Sequence, residues 1–213
     1  MNSTIAELRR EYSSQSLLEN DVAPDPVDQF SRWWKQAIES QIIEANAMTL
    51  ATASTDGIPA TRIVLLKGFD ERGFIFYTNY KSFKAVHLEE NPKACLVFFW
   101  KELERQVRIT GLVTKLPHEE SDAYFISRPP GSQLGALASP QSQVIANRDW
   151  LDKQYLKIAE QYKNQKLQRP AHWGGYIVQP VIIEFWQGRP SRLHDRIQYS
   201  LDEGEWKIER LAP

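Results

Sequence analysis

Short apolar segments separated by turn signals fill most of this chain after residue 46, and they constrain its fold more than any other feature. The segments "ATRIVLLKGF" (60–69) and "GFIFYTNY" (73–80) are joined through "DERG", which predicts a β-hairpin. About seven strands are expected, and they follow one another as hairpins rather than alternating with helices. The pattern predicts an α+β fold, with an antiparallel sheet or barrel and peripheral helices. The other strand-like segments are 48–55, 93–100, 105–116, 174–188, 191–201 and 205–213.

Three main helices are predicted around these strands. The first begins at Asp25 and Pro26, which suit an N-cap and a first helical turn. The other two cover 117–128, which a pair of prolines ends, and 148–168. A short helix is expected at 82–91, and residues 129–143 are expected to form a long polar loop. Apolar residues follow the first cap at helical spacing: Phe30, Trp33, Trp34, Ala37, Ile38 and Ile42.

Length and composition restrict the class of protein. The chain has 213 residues, 42% of them hydrophobic, and a formal net charge of −1. We expect a flexible arm at 1–24 and a single domain at 25–213. The near-zero charge gives no reason to expect non-specific binding to nucleic acid. Cys95 is the only cysteine, which excludes an intramolecular disulfide and suits a reducing compartment. The sequence shows neither a signal-peptide region nor a run of about 18 apolar residues, so we expect a cytoplasmic protein.

Several common cofactor and catalytic motifs are absent from the sequence. Neither G-x-G-x-x-G nor G-x-x-x-x-G-K-[ST] occurs, so a Rossmann or P-loop nucleotide site has no support. There is no G-x-S-x-G nucleophile elbow. We expect no metal site, because the histidines are widely spaced and only one cysteine accompanies them: His87, His118, His172 and His194.

Two cations flank the apolar run "IVLL". Arg62 and Lys67 are five residues apart, which in a regular strand places them on opposite faces. They should then serve different ligands, or different parts of one ligand, unless a bulge or a strand end re-aims one of them. The alternative is a buried strand whose ends are simply charged.

The beginning of the predicted helix at 82–91 suits a phosphate. Tyr77 and Thr78 end the preceding strand, and Ser82 and Lys84 open the helix. Hydroxyls and a lysine at a helix N-terminus favour anion binding. The alternative is ordinary capping of the helix by Ser82.

A second group of this kind follows the helix at 117–128. Tyr124 and Arg128 are four residues apart on one helical face, and Ser132 lies just beyond the prolines. A phenol, a guanidinium and a hydroxyl together predict a second phosphate clamp. The alternative is an amphipathic helix that ends in a solvated arginine.

The segment "SRLHDRIQY" (191–199) is interpreted as an extended strand. Arg192, His194 and Arg196 would then share one face, which favours an anionic or electron-rich ligand. A solvated edge strand is the alternative. Polar and aromatic residues in other apolar segments are further candidates for contacts with a planar ligand: Gln106, Gln141, Ser142 and Trp186.

Motifs along nearly the whole chain resemble the pyridoxine/pyridoxamine 5′-phosphate oxidases. The pair "RLHDR" (192–196) and "RLAP" (210–213) is highly specific for that family. The resemblance implies an FMN-binding split β-barrel and a homodimer with FMN at the subunit interface. Its other motifs are "LRREY", "RIVLLK", "FYTNY", "LERQV", "YFISRP", "SQLGALASPQS", "WGGY" and "EFWQG".

The resemblance also implies roles for individual residues, with Arg192 and His194 as the catalytic pair. Contacts to FMN are implied for Arg62, Ile63, Val64, Leu65, Leu66, Lys67, Tyr77, Thr78, Lys84, Gln106, Gln141, Ser142, Trp186 and Arg196. Contacts to the substrate are implied for Arg9, Arg10, Glu11, Tyr12, Lys67, Tyr124, Arg128, Ser132, Arg192, Leu193 and His194. One departure is Phe83, which stands where the family often has an arginine near the FMN phosphate.

The implied activity is oxidation of pyridoxine 5′-phosphate and pyridoxamine 5′-phosphate to pyridoxal 5′-phosphate. Molecular oxygen is the acceptor and gives H2O2, and the amine substrate also gives ammonia. One alternative is a split-barrel flavin reductase or a flavin-binding protein of another activity. A flavin protein of that kind would not need the second phosphate clamp at Tyr124, Arg128 and Ser132, so these residues argue against this alternative. The other alternative is a non-enzymatic β-barrel module that binds nucleic acid, which the balanced charge disfavours.

Overall fold

The structure is a computed structural model that describes residues 11–13, 15–163 and 165–213. The described part contains five α-helices: α1 (Pro26–Glu39), α2 (Phe83–Glu90), α3 (His118–Ser127), α4 (Pro130–Ala138) and α5 (Arg148–Gln161). It also contains nine strands: β1 (Ala47–Ala53), β2 (Pro59–Leu65), β3 (Gly68–Asp70), β4 (Gly73–Asn79), β5 (Lys93–Trp100), β6 (Arg105–Lys115), β7 (Trp173–Gln187), β8 (Asp195–Asp202) and β9 (Glu205–Arg210). Arg9, Arg10 and the rest of residues 1–10, together with residue 14, lie outside the described residues of the predicted arm at 1–24.

The strands form one sheet with the order β2-β1-β5-β6-β7-β4-β3, and β8 pairs with both β7 and β9. The pairs β3–β4, β4–β7, β7–β8 and β8–β9 are all antiparallel. The predicted hairpin at "DERG" is confirmed, because Asp70 lies opposite Gly73 across its turn. The structure therefore confirms the predicted antiparallel α+β class. None of the described helices has both the length and the apolar composition needed to cross a membrane.

The chain divides into two compact units, the first of which holds the described residues up to Leu50 together with 95–111 and 180–213. Its core is aromatic: the Phe30 ring packs against Phe98 at 5.2 Å between ring centroids, and Trp33 meets Phe185 edge-on at 5.2 Å. Helix α1 begins as predicted, because the Asp25 carboxylate accepts from the backbone N–H groups of Val27 and Asp28.

The second unit comprises residues 51–94 and 112–179. Strand β4 is buried along nearly its whole length and pairs with β7, so that Tyr77 lies opposite Gly175. Gly73 opens β4 with φ 138°, and a Cβ there would lie 2.1 Å from the Val178 carbonyl oxygen. Only glycine fits at this position, because a side chain would clash with the backbone of β7.

The prediction of a single strand over 60–69 is wrong, because the chain changes its partner strand at Leu66 and Lys67. Strand β2 ends at Leu65 and lies beside β1, whereas β3 begins at Gly68 and pairs with β4. The backbone N–H of Lys67 already donates to the Ile75 carbonyl of β4 at 2.9 Å. Leu66 is buried at this break.

Two further predictions about the chain path between 129 and 168 are also wrong. The expected polar loop contains α4, which begins at Pro130, a position where the missing N–H of proline costs nothing. Helix α5 ends at Gln161 rather than continuing to 168.

The extended strand predicted over 191–199 exists only from Asp195 onward. Residues Pro190–Arg192 form a short 3-10 turn in which Ser191 and Arg192 have φ of 56° and 61°. A chain with two residues in the left-handed region cannot alternate its side chains between two faces. The prediction that Arg192, His194 and Arg196 share one strand face is therefore wrong, although all three remain close in sequence.

Candidate active site

The second unit contains a cleft of about 920 Å³, a size typical of small-molecule sites. We call it the cationic cleft. Four cations line it, namely Arg62, Lys67, Lys84 and Arg128, and no Asp or Glu occurs among its described lining residues. This balance of charge suits a ligand that carries phosphate. Its other lining residues are Ala60, Thr61, Ile63, Val64, Leu65, Tyr77, Thr78, Phe83, Tyr124, Pro129, Ser132, Gln141, Ser142 and Trp173.

Arg62 and Lys67 both line the cationic cleft, although a regular strand would have separated them. Strand β2 ends at Leu65, so the alternation of a regular strand does not extend to Lys67. Its side chain can therefore lie at the same cleft as that of Arg62. The Arg62 guanidinium donates from Nη1 to Thr52 Oγ1 at 2.8 Å. The Lys67 ammonium is exposed and has no hydrogen-bond or ion-pair partner within the described residues, so it can bind a ligand.

Lys84 is a buried cation held only by neutral groups of the described chain. Its Nζ donates to Thr78 Oγ1 at 3.1 Å and to Ser82 Oγ at 3.2 Å. Burial, and then the nearby charge of Arg62, lower the Lys84 pKa from 10.5 to about 8. The Ser82 hydroxyl makes no cap bond to α2, so ordinary capping does not explain this serine. An anion beside Lys84 would stabilise the charged ammonium and offset the free-energy cost of its burial.

The predicted second clamp also lies at the cationic cleft. The Tyr124 ring stacks on Tyr77 with 3.8 Å between centroids, and burial raises the Tyr77 pKa to about 12. The Arg128 guanidinium lies 4.5 Å from the centre of the Trp173 ring. Its buried Nη1 has no hydrogen-bond partner in the described part of the chain. A buried cationic donor of this kind needs an acceptor, which a phosphate oxygen would supply.

The remaining ring-contact candidates lie in the first unit. We call Tyr12, Trp186, Arg192, His194 and Arg196 the ring cluster. The His194 ring packs on Trp186 with 4.6 Å between centroids, and Tyr12 meets Trp186 edge-on at 5.7 Å. Gln106 lies in the same unit, on β6. Glu11 is described, whereas Arg9 and Arg10 are not.

The protonation of His194 follows from its contacts. The backbone N–H of Arg189 donates to His194 Nδ1 at 3.1 Å, so we assign the proton of the neutral ring to Nε2. Burial, and then the Arg192 charge, lower the His194 pKa. The imidazole is therefore neutral at pH 7 and offers an Nε2–H donor. Arg192 is exposed, and its guanidinium has no partner among the described residues.

Arg196 is held quite differently from Arg192. Its Nε donates to Glu184 Oε1 at 2.8 Å, and its Nη1 donates to the Ala212 carbonyl at 2.7 Å. Glu184 is only 2% exposed and also accepts from Arg108 Nη2 at 2.5 Å. Its hydrogen bond to Arg196 raises the Arg196 pKa.

Sequence reasoning missed several side chains that hold the candidate site residues. Glu184 could have been noticed as a lone acid in an apolar strand. Asp195 accepts from the Leu17 N–H at 3.1 Å and from Arg210 at 2.8 Å, so it ties segments at both ends of the described chain together. Thr52 and His87 carried no signal, because their contact joins residues 35 positions apart. Leu66, which was expected to contact FMN, is buried and does not line the cationic cleft.

Comparison with known proteins agrees with this geometry. The family model of the pyridoxamine 5′-phosphate oxidases matches residues 34–162, and that of a pyridoxine 5′-phosphate oxidase C-terminal dimerisation region matches 173–213. A pyridoxine/pyridoxamine 5′-phosphate oxidase of Acaryochloris marina is 57% identical over 99% of this chain and 96% of its own. One of a Cyanothece species is 54% identical over the full length of both chains.

Two solved structures share the fold. PhzG of Burkholderia lata, in complex with tetrahydrophenazine-1-carboxylic acid, has a TM-score of 0.89 and 30% identity, and the match covers 94% of this chain and all of that one. A pyridoxamine 5′-phosphate oxidase-related, FMN-binding protein of Nostoc punctiforme has a TM-score of 0.70 and 18% identity, and the match covers 91% and 99%. The predicted split-barrel fold is thereby confirmed, and the dimerisation-region match supports the predicted homodimer.

Proposed function

Because the chain belongs to the pyridoxine/pyridoxamine 5′-phosphate oxidase family, we propose that it makes pyridoxal 5′-phosphate by FMN-dependent oxidation. Pyridoxine 5′-phosphate and O2 give pyridoxal 5′-phosphate and H2O2. Oxidation of pyridoxamine 5′-phosphate by O2 also consumes one water molecule and gives pyridoxal 5′-phosphate, ammonia and H2O2. The observation that carries this proposal is the cationic cleft, which gathers four cations and two stacked tyrosines without an acid among its described lining residues.

The family is a flavin-binding one, and the residues present suit the phosphorylated flavin FMN. Arg62, Lys84 and Thr78 would hold its phosphate, since they place two cations and a hydroxyl around one part of the cleft. The depressed pKa of Lys84 supports this assignment, because a phosphate beside the ammonium would compensate for its burial. The remaining flavin contacts are proposed for Ile63, Val64, Leu65, Lys67, Tyr77, Gln106, Gln141, Ser142, Trp186 and Arg196.

The substrate phosphate would be held by the second clamp of the same cleft. Arg128 offers an unsatisfied buried donor, and Lys67 offers a flexible exposed ammonium. Tyr124 and Ser132 add hydroxyl groups. Binding energy from this remote phosphate orients the carbon that reacts, which is C4′ of the vitamer.

The ring cluster would orient the substrate ring. The chemistry that FMN supplies when bound is acceptance of a hydride from C4′ and return of both electrons to O2. The neutral His194 ring donates its Nε2 proton as a hydrogen bond to a ring oxygen of the substrate. Arg192 stays charged at neutral pH, so it orients the substrate and balances charge rather than acting as a base. Leu193, Tyr12, Glu11, Arg10 and Arg9 would cover the substrate.

The proposed working unit is a cytoplasmic homodimer with FMN at the subunit interface. Residues 25–213 would form its single domain. The match to a C-terminal dimerisation region supports the homodimer.

Anaerobic mixing of the FMN-loaded protein with pyridoxine 5′-phosphate tests the proposal. The visible flavin band should bleach and should return when oxygen is admitted, which separates the two half-reactions. A band that stays unbleached with this substrate and with pyridoxamine 5′-phosphate would contradict the proposal. The chain would then be a split-barrel flavin protein of another activity.

A further inference from the structure

We propose that Thr52 and His87 are positioning residues that hold the Arg62 guanidinium for the cofactor phosphate. Neither residue lines the cationic cleft, and both act through Arg62. The inference rests on the proposed function, because the anion that it invokes is the phosphate of FMN. Three contacts carry it: Arg62 to Thr52, Thr52 to His87, and His87 to Phe83.

The first contact joins neighbouring strands. Arg62 lies on β2 and Thr52 on β1, and the guanidinium Nη1 donates to Thr52 Oγ1 at 2.8 Å. Thr52 is 4% exposed, so its hydroxyl is shielded from water. A buried hydroxyl that accepts from a cation must also place its own proton on an acceptor.

His87 is the acceptor that receives the Thr52 proton. It lies on α2, and its Nδ1 is 3.2 Å from Thr52 Oγ1. Since a hydroxyl carries a single proton, the order Arg62 to Thr52 to His87 satisfies each group in turn. We therefore assign the His87 proton to Nε2. A hydrogen-bonded chain of this kind fixes the rotamer of every member, because rotating one group breaks two bonds.

Phe83 holds the imidazole from the other side. Its ring centroid lies 4.4 Å from that of His87, at an angle of 51°. Phe83 opens α2 and itself lines the cleft. It stands where the family often has an arginine, so the phosphate in this chain depends more heavily on the placement of Arg62 and Lys84.

An uncharged anchor suits the task of holding a cation for an anion. After burial, the Arg62 charge lowers the pKa of Lys84, as expected for two like charges that line the same cleft. Thr52 restrains Arg62 against that repulsion and adds no negative charge to compete with the phosphate. A carboxylate in its place would weaken the field that the ligand experiences.

Binding of FMN and of riboflavin to the flavin-free, full-length protein tests the inference, because riboflavin lacks only the phosphate. Thr52→Val removes the hydroxyl at similar volume and should lower the preference for FMN over riboflavin about tenfold. Thr52→Ser keeps the hydroxyl and should retain the preference. His87→Leu should lower the preference for FMN over riboflavin. His87→Asn should retain that preference, because the Asn Oδ1 can accept the Thr52 proton as the His87 Nδ1 does.

The ratio of the two affinities separates positioning from stability. If Thr52 and His87 only stabilise the fold, Thr52→Val and His87→Leu will weaken both flavins equally, and this result would overturn the inference. Thr49→Val, on the same strand, is the matched control and should change neither affinity. If Thr52→Val does not fold, the two His87 variants decide alone. A wild-type protein that binds no flavin would instead overturn the proposed function itself.

Discussion

Lys84 in the cationic cleft and Arg196 in the ring cluster are held by opposite means. In the cleft, Lys84 is held by the hydroxyls of Thr78 and Ser82, so its charge remains available to a ligand. In the ring cluster, Arg196 is paired with the buried carboxylate of Glu184, which it shares with Arg108 and which offsets part of its charge. A cation held by hydroxyls attracts an anion, whereas a cation held by a carboxylate mainly directs its N–H groups.

This difference matches the ligands that we propose for the two regions. A phosphate needs net positive charge, which the cleft supplies in part through a buried lysine whose charge is poorly solvated. A flavin or pyridine ring needs directed donors and acceptors at fixed positions, which an ion pair on adjacent strands supplies. The contrast predicts that charge-removing substitutions will act on binding in one region and on stability or turnover in the other.

The largest effect on stability is expected for Glu184→Gln. The amide would leave two arginines, Arg108 and Arg196, without their shared carboxylate. Because the two arginines are 43% and 25% exposed, water can solvate them in the variant, and we expect a loss of about 1.5–3 kcal/mol, as for hydrogen bonds to charged groups. Chemical denaturation should show that loss in the free energy of unfolding. Glu209→Gln breaks an exposed pair with Lys207 in the same unit and should change the free energy of unfolding far less, because water screens that pair. Equal losses in the two variants would contradict the importance of burial here.

Arg192→Ala should lower turnover about 100-fold while FMN affinity changes less than about threefold, because the lost contacts orient the substrate alone. Steady-state rates at saturating substrate and FMN titration measure the two quantities. Arg192→Lys keeps the charge but not the planar fork and should recover only part of the rate. Unchanged turnover in the alanine variant would remove Arg192 from the site.

Lys84→Ala should weaken FMN binding about 10- to 100-fold, as expected for the loss of a charge-assisted contact of about 1.5–3 kcal/mol. Fluorescence titration of the flavin-free protein measures this change. Lys81→Ala removes an exposed lysine three residues earlier and serves as the matched control. If Lys84→Ala and Lys81→Ala bind FMN with the same affinity, Lys84 has no role in binding the phosphate. The proposed contrast between the cationic cleft and the ring cluster would then be wrong.

Local patterns in the sequence predicted the parts of this molecule that depend on local interactions. The β3–β4 hairpin and the cap at Asp25 followed from short motifs. The sequence also predicted all four cations of the cleft: Lys67, Lys84 and Arg128 lie at the end of a strand or helix, and Arg62 precedes the apolar run of β2.

The features that sequence reasoning missed depend on distant partners. Strand β2 ends at Leu65 because β3 pairs with β4, and no residue within "RIVLLK" signals that exchange. The left-handed backbone at Ser191 and Arg192 belongs to non-glycine residues, so composition gives no warning of it. Glu184 with its two arginines, and Thr52 with His87, are pairs that only the assembled sheet brings together.

The smallest effect is expected from a change of pH, which should alter FMN affinity through the cationic cleft alone. The Lys84 pKa is lowered from 10.5 to about 8, so the ammonium of the flavin-free protein is charged at pH 7 and mostly neutral at pH 9. A bound phosphate favours the charged form and raises that pKa, so binding takes up a proton above pH 8. FMN affinity should therefore fall about tenfold between pH 7 and pH 9. Riboflavin affinity should stay constant over that range, because it has no phosphate to meet the ammonium. In Lys84→Ala the pH dependence of FMN binding should disappear, and its persistence would assign the titration to another group.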